Sequence, residues 1–501
     1  MSLGPGPRGV NARIDDCRDA KITARGRRSV RDFARVDAAD LKLVIVALLA
    51  IATLVVLVTR FKLNAFLSLL LASLVVGASA VAMGRTLRDA AGRQALYTMS
   101  GVVRSFSEGL GSTLGGIATV IGLGTMLGKL LAESGGAEVL AKRFAAFFGP
   151  KHIQWCVMAL ALAVGLTTWF AVGFVLLLPI LLSLTYETKQ PFLKLVLPLL
   201  SCMSVMHGVM PPHPGPVVAV AALNAKMGLV LMWGFAIGIP TAAVAGPLFA
   251  RYAVGRVQAT PPPMPPRVQM PRGFRPPEFG LTLLSILLPV VLMLLGTLTE
   301  LTLPPANRLR VATAFIGNPT MALLIAVLFA AWSLGTRCGF GRGQILKFTE
   351  DCVSAMGMTV LIVGGGGGFA RVLRDAGVAD AIGRGGEAAH LPPLLYGWLL
   401  SAFIRVATGS ATVAITTASA LLVPVLAHHP ELTQHQIALV IVAIGCGSLF
   451  LSHLNDSGFW IVKDFLGLSV SQTLRTWTVC ETIVGIAGML LSLAAFQIMA
   501  P

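Results

Sequence analysis

The chain has 501 residues, of which 55% are hydrophobic and only 12% are charged. Soluble proteins carry about twice that charged fraction, roughly 25%, so the composition excludes a soluble, a disordered and a nucleic-acid-binding chain. Residues 1–40 hold 15 of the 61 charged residues, which leaves 46 for the other 461 positions. The net charge of +17 lies mostly in short loops between apolar runs, as the positive-inside rule and anionic lipid favour. The sequence predicts a polytopic membrane protein.

Apolar runs long enough to cross about 30 Å of hydrocarbon follow one another along the chain. The first six are Leu41–Thr59, Leu63–Met83, Leu110–Leu131, the Gly- and Pro-interrupted Ile153–Leu184, Phe192–Met206 and Met227–Tyr252. The amphipathic stretch Arg85–Glu108 is expected to lie along the membrane interface. Eight Pro then fall between 261 and 277, too many for a helix. The series resumes with Leu281–Leu303, Phe315–Leu334, Met356–Leu373, Leu394–Leu426, Ile437–Leu451 and Thr476–Met499.

The two halves match at a nearly constant offset, which indicates internal duplication. Three pairs of matching positions lie 240, 241 and 243 residues apart: Leu41 and Leu281, Gly136 and Gly377, and His213 and Asp456. Weakly similar halves with interrupted helices at corresponding places are typical of secondary transporters, whose site lies near the midplane. We expect an all-α fold of about 12 membrane segments in two homologous, inverted repeats, with broken helices or re-entrant hairpins at the midplane. The domains are a basic tail (1–40), a first repeat (41–252), a Pro/Arg-rich linker (253–280) and a second repeat (281–501).

The orientation of the chain is less clear from charge. Residues 1–40 carry a net charge of +3 and residues 251–278 carry +4, so both segments are predicted to be cytoplasmic. An inverted repeat, however, places them on opposite sides of the membrane. The linker is the better cytoplasmic marker, because a tail of this length can be translocated.

The first polar break, His207–Pro216, holds four Pro and two Gly in ten residues and cannot stay helical. Exposed backbone at membrane depth is tolerated only where it lines a cavity or is buried in protein. Histidine titrates near physiological pH. We expect His207 to take part in proton coupling and His213 to hydrogen-bond the substrate, with simple capping of freed carbonyls as the alternative for either.

The second polar segment runs from Arg405 to Thr412. A basic residue inside a span is a functional-site candidate, and hydroxyl groups beside a glycine suit a half-helix start whose N–H groups bind an anion. The candidate substrate ligands are Arg405, Gly409, Ser410 and Thr412. Small-residue helix packing and snorkelling of the arginine are the alternatives.

The third polar segment is Ser452–Trp460. Asp456 is the predicted protonatable carboxylate for proton coupling, and Asn455 and Ser457 are predicted to bind substrate hydroxyls. The alternative for Asp456 is a structural cap satisfied by local N–H groups. No metal or organic cofactor is expected, because the seven Cys lack CxxC spacing and the three histidines near Pro430 lie in a polar loop.

Five segments resemble, in order, the signature segments of the gluconate permease (gluconate:proton symporter) family: Gly122–Ala141, Met206–Pro216, Gly364–Ala381, Thr408–Ala414 and Ser452–Lys463. The resemblance implies a multi-pass importer in the bacterial inner membrane that moves a small hydroxylated carboxylate with protons as the coupling ion. Ala171 stands where members commonly have an acidic residue, which shifts proton coupling to Asp456 or a histidine.

We therefore expect a secondary active transporter, not an enzyme, that imports gluconate or a related sugar acid by proton symport and alternating access. D-serine or another small hydroxy-carboxylate is the alternative substrate, and an anion channel is the alternative from another class. An intramembrane hydrolase using Ser410, His453 and Asp456 lacks any GxSxG or HExxH motif. The expected partners are the substrate and the lipid bilayer, without nucleic acid, and a homo-oligomer is left open.

Overall fold

The computed structural model describes residues 38–88, 94–262, 274–378, 381, 391–454 and 456–499. The described residues are largely helical. The first half contains α1 (Ala38–Thr59), α2 (Ala65–Ala82), α3 (Met99–Glu133), α4 (Gly136–Phe148), α5 (Ile153–Gly165), α6 (Phe170–Thr188), α7 (Phe192–Val209), α8 (Pro214–Ala222) and α9 (Met227–Val254). The second half contains α10 (Phe279–Thr302), α11 (Arg308–Ile316), α12 (Pro319–Cys338), α13 (Arg342–Asp375), α14 (Pro393–Thr408), α15 (Ala411–Ala427), α16 (Gln434–Gly447), α17 (Ser457–Phe465) and α18 (Val470–Ile498).

Within this described part of the chain, eight helices are long and apolar enough to cross a membrane, or up to eleven if each of three bent helix pairs counts as one span. The sharpest bend, 108°, separates α4 from the segment that begins at Pro150. The predicted class, an all-α polytopic membrane protein with broken helices, is confirmed. The count of about 12 segments and the inverted relation of the halves remain predictions.

The stretch Arg85–Glu108 contains two kinds of structure, and its position at the membrane interface remains a prediction. Two short antiparallel strands, Thr86–Arg88 and Gln94–Leu96, form a hairpin here, and α3 already begins at Met99. Thr98 starts that helix by accepting a hydrogen bond from the Gly101 N–H at 3.1 Å, a standard N-cap. The polar residues after Thr98 therefore form the first turns of a long membrane helix and not a separate surface helix.

Among the described residues, two of the breaks in each half lie at matching positions. The helix pairs α5/α14, α6/α15, α7/α16 and α8/α17 begin 240, 241, 242 and 243 residues apart. The breaks themselves separate α5 from α6, α7 from α8, α14 from α15 and α16 from α17. These spacings follow the offset seen in the sequence and agree with duplication of one helical unit.

The break in the Ile153–Leu184 stretch lies at Leu166–Trp169 and not at a proline, since Pro179 is inside α6. The hydroxyl groups of Thr167 and Thr168 donate to the carbonyl oxygen of Val164 at 3.3 and 2.8 Å. The same carbonyl oxygen accepts from the backbone N–H groups of Thr167 and Thr168 at 3.1 and 3.0 Å, so the backbone and side chains of both threonines hold the end of the helix at this break.

The long helices α3 and α13 pack against each other and join the two halves. Glycines form their contact: a methyl group on Gly109 would overlap the carbonyl oxygen of Gly367, and one on Gly368 would overlap the Phe106 ring. Small residues allow helix backbones to approach this closely in membrane proteins. We call the contact of Gly109 with Gly367 and Gly368 the glycine seam.

Candidate functional site

Three of the four breaks border a cavity of about 210 Å³ among the membrane helices. The first half lines it with Trp169, Phe170, Ala171, Ser204 and His207. The second half lines it with Arg405, Gly409, Ser410, Ala411, Thr412, Leu449, Asp456, Ser457, Gly458, Ile461, Trp477 and Glu481. The cavity therefore lies where the two halves meet.

An ion pair between Arg405 and Asp456 forms one wall of this cavity. The Arg405 Nη2 donates to Asp456 Oδ2 at 2.5 Å, and Nη1 donates to the Gly409 carbonyl oxygen at 2.8 Å. The two residues are only 4% and 5% exposed. The structure thus brings together the two charged candidates that the sequence singled out, although 51 residues separate them.

Asp456 also caps a helix. Its Oδ1 accepts a hydrogen bond from the Gly458 N–H at 2.8 Å, at the start of α17, and its Oδ2 accepts one from the Ser452 hydroxyl. The structural cap that the sequence offered as an alternative is therefore present together with the ion pair. Both oxygens of this carboxylate have hydrogen-bond donors.

The break between α14 and α15 follows the predicted pattern. Gly409 ends α14 with a positive φ of 72°, a backbone conformation that favours glycine. Ser410 then caps α15 by accepting from the Val413 N–H at 3.3 Å. Gly409, Ser410, Thr412 and, from the next break, Ser457 all line the cavity.

The first half lines the cavity with a helix start that has no side-chain cap. α6 begins at Phe170 after Trp169, which makes no capping hydrogen bond. The first N–H groups of a helix have no partner within the helix and carry a partial positive charge. Trp477 packs its ring 5.2 Å from that of Phe170 and donates to the Ser452 hydroxyl at 2.7 Å, which ties this start to the Asp456 network.

The two histidine candidates occupy different places. His207 lies in the last turn of α7, which extends to Val209, and it lines the cavity with an Nδ1 atom that has no partner among the described residues. His213 precedes α8, is 3% exposed, and its Nε2 lies 2.7 Å from the Gly165 carbonyl oxygen. It is not among the residues that line the cavity. Asn455 lies outside the described residues.

Several residues of the cavity were missed by the sequence reasoning: Trp169, Phe170, Ser204, Trp477 and Glu481. Glu481 is the residue for which the sequence held a usable signal, because it is an acid within the apolar run Thr476–Met499 and such residues are functional candidates by default. The aromatic residues and Ser204 look like ordinary core and packing residues in the sequence. Within the described residues, no group of three His, Cys, Asp or Glu side chains is arranged to hold a metal ion.

A family model for the GntP family permease matches residues 41–499 of this chain. The chain belongs to this family. GntP membership establishes a transporter, not an enzyme, and a multi-pass protein of the bacterial inner membrane. It also confirms the resemblance drawn from the sequence segments.

Curated relatives of this GntP permease cover nearly the same length. A gluconate permease of Zymomonas mobilis is 39% identical over 90% of this chain and 97% of its own. The Gnt-II system L-idonate transporter of Escherichia coli is 39% identical over 88% and 96%. The D-serine transporter DsdX of Escherichia coli is 33% identical over 88% and 95%.

Among solved structures, the YdaH transporter of Alcanivorax borkumensis matches with a TM-score of 0.59 over 86% of this chain and 98% of its own, at 15% identity. A likeness at this identity speaks for the fold alone. It agrees with a helical transporter architecture for this GntP permease.

Proposed function

We propose that this GntP permease imports gluconate or a related sugar acid by proton symport, with alternating access to the cavity at the Arg405–Asp456 ion pair. The ion pair carries the proposal, because a buried arginine that the substrate can reach is suited to bind a carboxylate. The gluconate and L-idonate relatives support a sugar acid as the substrate class.

The substrate carboxylate would bind between the two halves of the cavity. Arg405 has a buried Nε atom with no partner in the described part of the chain. The uncapped start of α6 offers backbone N–H groups across the cavity, which favour an anion. Ser410, Thr412 and Ser457 supply hydroxyl groups for the polyol, and Asn455 remains a predicted ligand.

Competition for Arg405 would couple substrate to protons. A substrate carboxylate that pairs with Arg405 takes the cation away from Asp456. The freed Asp456 would then be an unpaired buried carboxylate, which is expensive, and a proton removes that charge. Substrate and proton would thus enter the closed state together, and rocking of one repeat against the other would expose them to the other side.

D-serine is the second candidate. The cavity holds a second carboxylate, Glu481, which could pair with the ammonium group of an amino acid, and DsdX is among the relatives. A sugar acid has no ammonium group, so Glu481 would form an ion pair with D-serine but not with gluconate.

The test is uptake of labelled gluconate into proteoliposomes with an imposed pH gradient. We expect saturable uptake that follows the gradient and is inhibited more strongly by gluconate and L-idonate than by D-serine. Stronger inhibition by D-serine would reverse the order of the two candidates. A flux that does not saturate with substrate concentration and does not depend on the pH gradient would instead indicate a channel.

The variant Asp456→Asn tests the coupling step. It leaves Arg405 without a counter-charge, so substrate can bind and cross without the proton that Asp456 takes up. We expect proton-driven accumulation to fall strongly while exchange of internal for external substrate continues. Normal proton-driven accumulation in this variant would remove Asp456 from the mechanism.

A further inference from the structure

Glu481 is a buried acid whose contacts differ from those of Asp456. It lies on α18, has no exposed surface, and lines the cavity. Its Oε2 accepts a hydrogen bond from the Ser204 hydroxyl of α7 at 2.8 Å. Its Oε1 is buried and has no hydrogen-bond partner among the described residues. The cavity thus contains a carboxyl group that is only half satisfied.

The charged and titratable groups around Glu481 do not compensate its charge. Arg405 on α14 and Asp456 at the start of α17 lie within electrostatic range, and they are paired with each other. His207 on α7 lines the same cavity, and Cys480 precedes Glu481 on its own helix. The only direct partner of Glu481 among the described residues is therefore a neutral hydroxyl. An ionised carboxylate in such surroundings is costly, whereas a protonated one is neutral and its hydroxyl can donate a hydrogen bond.

We propose that Glu481 binds and releases one proton in every transport cycle, in addition to the proton taken by Asp456. The proton binds to a carboxylate oxygen when substrate fills the cavity and displaces water from Glu481, and it leaves on the opposite side when substrate departs and water solvates the carboxylate again. The empty transporter returns with water in the cavity and Glu481 ionised, so each cycle carries this proton in one direction only. This inference rests on the proposed symport, and it gives the two acids different tasks: Asp456 ties the substrate to proton movement, and Glu481 adds a second proton to the count.

The coupling ratio measures this directly. In proteoliposomes held at zero membrane potential, each coupled proton contributes about tenfold accumulation of substrate per unit of pH gradient. We expect Glu481→Gln, which keeps the shape of the side chain, to lower the accumulation ratio about tenfold at a gradient of one unit. Counterflow, which needs no gradient, should remain. The matched control is Glu431→Gln, an acid-to-amide change at a loop residue whose side chain is 63% exposed, and it should leave the ratio unchanged.

The outcomes separate this inference from the proposed function. If substrate accumulation by the wild type does not depend on the pH gradient, the proposed proton symport is wrong. If wild-type accumulation follows the gradient and Glu481→Gln shows the same ratio, the assignment of Glu481 is wrong and the symport stands. If Glu481→Gln shows no counterflow, Glu481→Asp decides the matter. The proton concentration that gives half-maximal uptake is compared between Glu481→Asp and the wild type. A shift of at least about threefold supports the assignment, and an unchanged value overturns it.

Discussion

The helix breaks of the first half and those of the second half begin new helices in opposite ways. In the second half, α15 and α17 start with side-chain caps, from Ser410 and Asp456. In the first half, α6 and α8 start without a side-chain capping hydrogen bond, after Trp169 and His213. The two halves thus share the positions of these breaks but differ in the chemistry of the helix starts.

This difference suggests a division of tasks within the cavity. Capped starts have some of their N–H groups already occupied, and one of the caps belongs to the ion pair with Arg405. An uncapped start keeps its N–H groups available for an anion. We infer that the second half holds the charged switch and that the first half offers a backbone surface for the substrate carboxylate.

The largest effect is expected when the second half loses its cation. Arg405→Gln leaves Asp456 buried without its partner, which should lower stability by about 3–5 kcal/mol and abolish uptake. The double variant Arg405→Gln with Asp456→Asn removes both charges and should recover most of that stability but not the uptake. Thermal unfolding of the purified protein in detergent measures the first effect. Equal stability of the wild type and the single variant would show that the pair contributes little to the fold.

A smaller effect is expected in the first half, where the two histidines differ in position. His213→Phe removes the partner of the buried Gly165 carbonyl oxygen, which should lower stability by about 1–3 kcal/mol. Because His213 does not line the cavity, the KM for substrate should change less than twofold. His207→Phe is the matched variant, and its KM should rise because His207 does line the cavity. A larger KM change for His213 than for His207 would contradict the placement of the site.

The smallest effect on stability is expected when the start of α15 loses its side-chain cap and so resembles the uncapped start of α6. Ser410→Ala removes the cap of α15 and should lower stability by about 0.5–2 kcal/mol, with a raised KM because Ser410 faces the cavity. The control is Thr433→Ala, which also replaces a capping hydroxyl residue with alanine, at the start of α16. Thr433 is not among the cavity-lining residues, so a similar loss of stability should leave KM unchanged. Equal KM values in the two variants would remove Ser410 from the site.

The sequence predicted the class of fold and six of the twelve residues with which the second half lines the cavity, because rare residue types mark them. Arg405 and Asp456 stand out in apolar sequence, and a glycine followed by hydroxyl residues marks the start of α15. The direction of a side chain is a tertiary property, so the sequence could not show that His213 contacts the Gly165 carbonyl oxygen and does not line the cavity. Glu481 carried the same signal as Asp456, a charge in an apolar run, but it had no polar motif around it to draw attention.

The glycine seam between α3 and α13 has a consequence for how this protein can change over time. Its two sides come from different halves of the chain and meet with almost no space between their backbones. A substitution on one side that adds even one carbon atom requires movement of a whole helix in the other half. The two stretches around Gly109 and Gly367 should therefore evolve as a single unit, although more than 250 residues separate them, and a hybrid that takes its halves from two distant relatives should fail at this contact first.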